Sequence, residues 1–142
     1  MRDFCRANHA VGLTQGIHRA LQLRPRSTAL VAADRALTWS EFADRVARLA
    51  GGLLAHGMAP GDRVAMLAHN GPCYVEYYFA VLWAGGVIAP VNVRWSLAEQ
   101  AHCLADSGAK ILLADAAHWH QACELAAASA LSCLIAVDVE EQ

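Results

Sequence analysis

Four short apolar segments, separated by helical patterns, restrict the fold of this chain more than any other feature. They read RVAMLA (63–68), GVIAPV (86–91), KILLAD (110–115) and CLIAVD (133–138). None alternates between apolar and polar residues, as a strand with one solvated face would. Strands of this kind, each separated from the next by a helix, are typical of a parallel sheet covered on both faces. The sequence therefore predicts an α/β fold: a doubly wound parallel sheet with flanking helices.

Two capping boxes mark where helices begin. Thr38 and Glu41 open the segment TWSEFADRVARLAGGLLAHG, and Ser96 and Glu99 open a helix that we expect to end before Gly108. In such a box the hydroxyl accepts a hydrogen bond from the third helical amide, and the carboxylate accepts one from the capping residue's amide. Both helices therefore have a defined start in the sequence.

The first of these helices also has a clear buried side. Its apolar stripe consists of Phe42, Val46, Leu49 and Leu53. We expect Leu37 to pack against the stripe as a hydrophobic staple. Asp44 and Arg48 have the spacing of an ion pair on the opposite face, and Gly57 lies where a left-handed cap is needed.

The first forty residues carry weaker patterns. Residues 1–12 show no periodicity, so we expect a loose lead before a single domain that covers residues 13–142. Thr14 is placed to cap a short helix that ends before Pro25. The segment TALVAADRALT then predicts two short strands joined by a turn at Asp34-Arg35.

The segment PCYVEYYFAVLWAG (72–85) predicts a helix with no single buried stripe. Glu76 is its only charge, and large apolar side chains surround the axis. We therefore expect it to be packed on more than one side, and we expect Trp39, Trp83 and Trp95 to serve packing. The sequence also ends directly after a predicted strand, where a doubly wound sheet normally continues. Both features predict that part of the structure lies outside these 142 residues.

Composition narrows the class of protein. Apolar residues make up 56% of the chain and charged residues 17%, and these fractions argue against disorder. They favour a chain whose apolar surface is partly covered by atoms outside the chain itself. The net charge is −2, and the arginines form no basic stripe, so nucleic acid is not an expected partner.

The five cysteines contain no Cys-x-x-Cys pair and are expected to be reduced and mostly buried. No signal peptide or transmembrane run is visible, and we expect a cytoplasmic protein.

The loop AHNGP (68–72) has the outline of a phosphate-binding turn but lacks its chemistry. Such loops have several glycines and a nearby lysine or arginine, whereas this one has only Gly71, and Pro72 removes an amide. His69 is one remaining proton donor. The residues favour an ordinary turn from strand to helix, capped by Asn70 or Gly71.

Other polar residues give weak signals. Lys110, the only lysine, begins a strand and so lies at the opposite edge from where ligands bind parallel sheets. His118 and His120 point to different sides of a helix, which argues against a shared metal, and His56 is placed to interact with a helix's negative end. We expect Cys73, Cys103 and Cys123 to serve packing. Asn92 and Arg94 follow a strand's carboxyl end; turn formation, a surface contact, or an approach to substrate or coenzyme A remain open for them.

Taken together, residues 37–115 resemble the N-terminal portion of the acyl-adenylate-forming enzymes, the AMP-binding family that includes the acyl-CoA ligases. The resemblance rests on the order of the T-x-x-E helix, GMAPGDRVAMLAHN, the apolar helix ending WAGGVIAPVN, a second capping box and SGAKILLAD. It implies a carboxylate activated by ATP, with magnesium, to an acyl adenylate and then transferred to coenzyme A. The family's phosphate loop, nucleotide-binding motifs and catalytic lysine lie C-terminal to the matched region.

The resemblance therefore implies an incomplete N-terminal subdomain of an acyl-CoA ligase. We assign no catalytic, cofactor-binding or metal-binding residue to this chain, and we expect it to bind no ATP, magnesium or coenzyme A by itself. Its expected partner is the rest of the adenylating enzyme, or another copy through exposed apolar surface. The alternatives are a stand-alone α/β module that binds a ligand or partner, and a remnant without function. The acyl substrate cannot be deduced from the sequence.

Overall fold

The structure, a computed structural model, describes residues 12–32 and 35–137. Most of the expected loose lead, the residues Ala33 and Asp34 of the predicted turn, and the end of the chain from 138 onward lie outside these ranges. The described elements are, in chain order, α1 (Gln15–Leu23), β1 (Thr28–Ala32), β2 (Arg35–Thr38), α2 (Trp39–Ala55), β3 (Arg63–Leu67), α3 (Pro72–Trp83), β4 (Val87–Pro90), α4 (Leu97–Ser107), β5 (Ile111–Ala114), a 3₁₀ turn (Ala116–His118), α5 (Trp119–Ala127) and β6 (Cys133–Ala136).

The sheet has the predicted parallel architecture. Its four strands lie in the order β4-β3-β5-β6, and every neighbouring pair is parallel. β1 and β2 form a separate antiparallel hairpin, in which Arg35 pairs with Ala32. Arg35 is therefore the first residue of a strand, whereas the sequence had placed it in the turn.

Helices cover both faces of the sheet. In β3 the side chains of Val64 and Met66 belong to the core formed with α1, α2 and α3. Those of Ala65 and Leu67 belong to a second core on the other face, beneath α4 and α5. Successive strand residues point to opposite faces, so a strand between two cores must be apolar at every buried position. This explains why the strands read as continuous apolar segments.

The first core joins α2 to α3 through a charged pair as well as apolar contacts. Glu76, the only charge on α3, is 4% exposed, and its Oε1 atom lies 2.6 Å from Nε of Arg45 on α2. α3 also packs against β3 and β4, which confirms that it is enclosed on more than one side. Without Arg45 the buried Glu76 carboxylate would lose this cationic partner, so the pair favours the face of α3 that meets α2.

A buried tyrosine connects α3 to two strands. The hydroxyl of Tyr77 donates to the Val64 carbonyl on β3 at 2.7 Å and accepts from the Ala89 amide on β4 at 3.0 Å. Burial raises the pKa of Tyr77 far above its usual value, so the hydroxyl stays protonated. The neighbouring Pro90 is tolerated because β4 is an edge strand of the described sheet.

Both capping boxes form as the sequence predicts. Hydrogen bonds from the Thr38 amide and hydroxyl lower the pKa of Glu41, and those from the Ser96 hydroxyl and amide lower the pKa of Glu99. The expected ion pair between Asp44 and Arg48 forms at 2.6 Å. The expected left-handed glycines are also present, Gly57 with φ of 85° and Gly108 with φ of 61°.

The predicted cap of α1 is wrong in its mechanism. Thr14 occupies the residue before the helix, but its backbone is already helical (φ −83°, ψ −9°) and its side chain makes no capping hydrogen bond. The helix ends at Leu23, as expected from Pro25. Within residues 12–32 and 35–137, no helix is long and apolar enough to cross a membrane.

Two glycine substitutions should change stability in opposite directions. A Cβ on Gly86 would lie 3.1 Å from the Asp62 carbonyl oxygen, which already accepts from Val87, and 3.0 Å from a methyl group of Val81. We expect Gly86→Ala to lower the free energy of unfolding by about 1–3 kcal/mol because the backbone must shift. Gly51 lies on the exposed side of α2 with no atom within 4 Å of its added Cβ. Gly51→Ala should raise the free energy of unfolding by about 0.5–1 kcal/mol.

Urea denaturation of both variants and the parent chain measures these changes. Equal stabilities for the two variants would contradict the packing assigned to the loop before β4.

Candidate functional site

The order of the strands defines one edge of the sheet where a ligand can bind. β3 lies at the centre with β4 on one side and β5 on the other, so the sheet grows in opposite directions from β3. In open α/β sheets, ligands bind beyond the carboxyl ends of the strands, at the point where this direction reverses. Here that point lies between β3 and β5. His69 lies two residues beyond the end of β3, and Asp115 directly follows β5.

A pocket of about 740 Å³ opens at this edge. We call it the switch pocket; its polar and aromatic lining includes His69, Tyr74, Asn92, Arg94, Trp95 and His118. These residues come from the loops after β3 and β4, from the start of α3, and from the 3₁₀ turn after β5. The pocket is therefore built by segments that are far apart in sequence.

Asp115 connects the loops that follow β3 and β5. Its Oδ2 accepts a hydrogen bond from the His69 amide at 2.9 Å. Its Oδ1 accepts from the His118 amide at 2.9 Å and lies 2.6 Å from Nδ1 of the His118 ring. Burial alone would raise the pKa of Asp115, but these hydrogen bonds outweigh it and lower the pKa below its usual value. Asp115 therefore remains a carboxylate while it holds the two loops together.

The two imidazoles at this edge are in direct contact. The ring centroids of His69 and His118 are 4.5 Å apart and the rings meet edge to face. The His118 side chain is only 12% exposed, and the His69 side chain has no hydrogen bond within the described part of the chain. The contact brings together two residues that the sequence treated separately.

The loop after β4 contributes the remaining polar groups. Oδ1 of Asn92 accepts from the Arg94 amide at 2.9 Å, and the Asn92 carbonyl accepts from Nε2 of Gln100 at 3.1 Å. Asn92 thus forms the expected turn, and both Asn92 and Arg94 also line the switch pocket. Trp95 is 40% exposed, so the expectation that it serves packing is wrong.

The loop AHNGP has the structure of an ordinary strand-to-helix turn, as predicted. Gly71 is the capping residue and Pro72 is the first residue of α3. The amide of His69, which a bound anion would need, already donates to the Asp115 carboxylate. An internal carboxylate therefore takes one of the loop's donors.

Lys110 lies at the opposite edge of the sheet, as predicted from its place before β5. Its ammonium group lies 2.7 Å from Oδ1 of Asp62, and the side chain is 58% exposed. The hydrogen bond from Lys110 and that from the Ala59 amide lower the pKa of Asp62. Lys110 is therefore a half-exposed partner of an ion pair, on the far side of the sheet from the switch pocket.

The remaining histidines and cysteines follow the sequence predictions only in part. His118 and His120 do have separate partners, since His120 pairs with Glu124 at 3.0 Å. His56 caps the carboxyl end of α2.

The expectation of mostly buried thiols is wrong for the described cysteines: Cys123 is exposed, and the others, Cys73, Cys103 and Cys133, are half-buried. The cause for Cys123 is that α5 turns Ala122 and Leu125 toward the sheet instead.

The contact of His69 with Asp115 and His118 was missed at the level of sequence. A signal was present, because His69 follows the first predicted strand and Asp115 ends the third. Their proximity depends on β3 and β5 being neighbours, and the sequence pattern does not specify that order. The proximity of His69 to Asp115 could have been predicted only by assuming in advance that β3 and β5 are neighbours.

Comparison with known proteins identifies the family. Residues 17–142 match the family model described as AMP-binding enzyme. Feruloyl-CoA synthase of an Amycolatopsis species is 46% identical over 109 residues, which are 77% of this chain and 22% of that protein. The peroxisomal benzoate–CoA ligase of Arabidopsis thaliana is 34% identical over 113 residues, 78% of this chain and 19% of that protein.

Solved structures agree with this result. A protein described as a long-chain-fatty-acid CoA ligase, from Rhodopseudomonas palustris, superimposes with a TM-score of 0.86 at 28% identity, over 94% of this chain and 34% of that chain. The N-terminal domain of FACL13 from Mycobacterium tuberculosis gives a TM-score of 0.78 at 26% identity, over 86% and 33% of the respective chains. This chain belongs to the AMP-binding enzyme family. It spans about a fifth of the length of the curated relatives it matches.

The bonds to Asp115 predict a specific loss of stability in acid. A carboxyl group with a lowered pKa in the folded state stabilises the fold above its unfolded pKa, about 3.9, and loses this contribution as pH falls through the folded pKa. We expect Asp115→Asn to lower the free energy of unfolding at neutral pH by about 1–3 kcal/mol. The difference from the parent chain should shrink as pH falls below about 4.

Denaturation curves between about pH 7 and pH 2 measure this difference. Asp106→Asn is the matched control, since Asp106 is exposed on α4 and takes part in no ion pair or hydrogen bond within the described residues. A difference for Asp115→Asn that does not change with pH would contradict the assigned role of the carboxylate.

Proposed function

We propose that this chain forms the N-terminal part of an ATP-dependent acyl-CoA ligase and catalyses no adenylation by itself. In that reaction a carboxylate attacks the α-phosphorus of ATP and releases pyrophosphate, and the thiol of coenzyme A then displaces AMP from the acyl adenylate. Magnesium and cationic groups are needed at the phosphates to stabilise the negative charge on their oxygens during this reaction. The supporting observation is the position of Lys110, the only lysine: it pairs with Asp62 at the edge of the sheet opposite the switch pocket.

The physical role that we propose is that of a sheet layer on which the active-site subdomain packs. Support comes from the edge strand β6, whose residues Cys133, Leu134 and Ile135 are only partly buried by the described residues although they are apolar. Apolar side chains also remain exposed elsewhere, among them Val31, Val87 and Trp119. An additional layer that covers such apolar surface would stabilise the assembly by about 25 cal/mol for each Å² removed from water.

We also propose that the choice of acid is made by residues outside the matched segment. The relatives that match this segment are named for feruloyl-CoA, 2-succinylbenzoate, 4-hydroxybutyrate and benzoate. These acids differ in size, charge and aromatic character, while the matched segments are 46%, 38%, 33% and 34% identical to this chain. The shared scaffold is therefore a poor candidate for the specificity determinant.

The first test is ATP–pyrophosphate exchange by the purified 142-residue chain with ferulate, benzoate and 4-hydroxybutyrate. We expect no carboxylate-dependent exchange, because the chain has no lysine or glycine-rich loop near the pocket. Feruloyl-CoA synthase serves as the positive control. Exchange by the chain alone would overturn the proposal.

A chimera tests the role of the sheet layer directly. Residues 17–142 of this chain, which match the family model, replace the corresponding segment of the Amycolatopsis feruloyl-CoA synthase. We expect the chimera to adenylate ferulate and to prefer the same acids as its host enzyme. A chimera that carries Gly86→Ala should lose activity in proportion to its loss of folded protein, whereas one with Gly51→Ala should not. An active chimera with a new acid preference would contradict the assignment of specificity to the host.

A stand-alone binding module is the second candidate function, and the switch pocket is the observation that favours it. Sedimentation with a dye that reports apolar surface separates the two. A monomer that binds no dye supports the module, and aggregation or strong dye binding supports the subdomain.

A further inference from the structure

We propose that the switch pocket binds an oxyanion, a phosphate or a carboxylate group, through the side chains of His118, His69 and Arg94. The inference rests on the geometry of these residues and does not depend on the proposed function. It concerns side-chain donors, whereas the AHNGP loop would have used backbone amides.

His118 is the central residue because its ring is held in one orientation. Nδ1 lies 2.6 Å from the Asp115 carboxylate, and the amide of the same residue donates to that same oxygen. With Nδ1 engaged, Nε2 is the nitrogen left for a ligand, and in the imidazolium form both nitrogens donate. Nε2 has no hydrogen-bond partner within the described residues and stays accessible from the pocket, while the side chain as a whole is 12% exposed.

Two further groups without partners line the same pocket. The His69 ring contacts His118 but makes no hydrogen bond with the described residues, and the Arg94 guanidinium has no ion pair or hydrogen bond with them. His69 and Arg94 are exposed and His118 is half-buried, so all three side chains are accessible to a ligand that enters the pocket. An arginine is well shaped to bind phosphate or carboxylate oxygens, and an oxyanion in the pocket can accept hydrogen bonds from all three side chains.

The charges of the pocket favour an anion. The residues that line it within the described ranges include the Arg94 cation and no carboxylate. Asp115 is adjacent, but its oxygens already accept from His69 and His118. A cation would meet donors and positive charge, and no group of three metal-ligating side chains occurs in the described ranges.

The test is a titration of the isotopically labelled chain with inorganic phosphate, followed through the imidazole resonances at constant pH and ionic strength. Sodium acetate provides a parallel arm, since it carries the carboxylate without the phosphate. We expect saturable shifts of His118 and His69. Tighter binding of phosphate than of acetate assigns the site to phosphate groups, and the reverse order assigns it to carboxylates.

Three variants make the test specific. In His118→Asn the side-chain amide can still donate to Asp115, but nothing replaces Nε2, so binding should weaken roughly tenfold or more. Arg94→Gln should weaken binding by a similar factor. His120→Asn is the matched control, because His120 is 93% exposed and pairs with Glu124, and it should bind like the parent chain. Amide spectra confirm that each variant is folded.

Two results would overturn the proposal. One is the absence of saturable shifts with both anions. The other is equal affinity of the parent chain and a folded His118→Asn variant. Because the titration measures binding and no turnover, its outcome is separate from that of the exchange assay.

Discussion

Burial of β3 and β5 on both faces is the constraint on which the rest of the structure depends. All four residues of β5 and four of the five in β3 are buried, so a polar side chain is found in these strands only at the exposed first position of β3, Arg63. Polar groups become possible only where the strands end. Asp115 lies directly beyond β5 and His69 two residues beyond β3, and because the two strands are parallel neighbours the Asp115 carboxylate reaches the His69 amide. The geometry of the pocket follows from the requirement for an apolar interior.

The sequence predicted those features that depend on neighbouring residues. The capping boxes at Thr38 and Ser96 formed because hydroxyl and carboxylate are three residues apart on one turn of helix. Thr14 failed because a suitable residue type does not ensure the extended backbone that a cap requires. The long-range contacts of the core and of the site were not predictable in the same way. The pair of Arg45 and Glu76 spans 31 residues, and that of His69 and Asp115 spans 46. Such contacts depend on the order of strands and the packing of helices, which local patterns leave open.

The two edges of the sheet have different chemistry. At the amino edge, Lys110 and Asp62 form an ion pair. The Asp62 carboxylate also accepts a hydrogen bond from the Ala59 amide, in the turn before β3. At the carboxyl edge, the Asp115 carboxylate binds the His118 imidazole and the backbone amides of His69 and His118, and the His69 ring makes no hydrogen bond with the described residues. Relatives named for very different acids match this segment of the chain.

The hydroxyl of Tyr77 has a further consequence for how the sheet assembles. Alternate amides of a strand point to opposite sides, so the hydroxyl can meet Ala89 in only one alignment of β4. If β4 slid by a single residue, the neighbouring position would offer either an amide that faces away or Pro90, which has none. The hydrogen bonds of the Tyr77 hydroxyl are therefore compatible with only one register of β4 against β3.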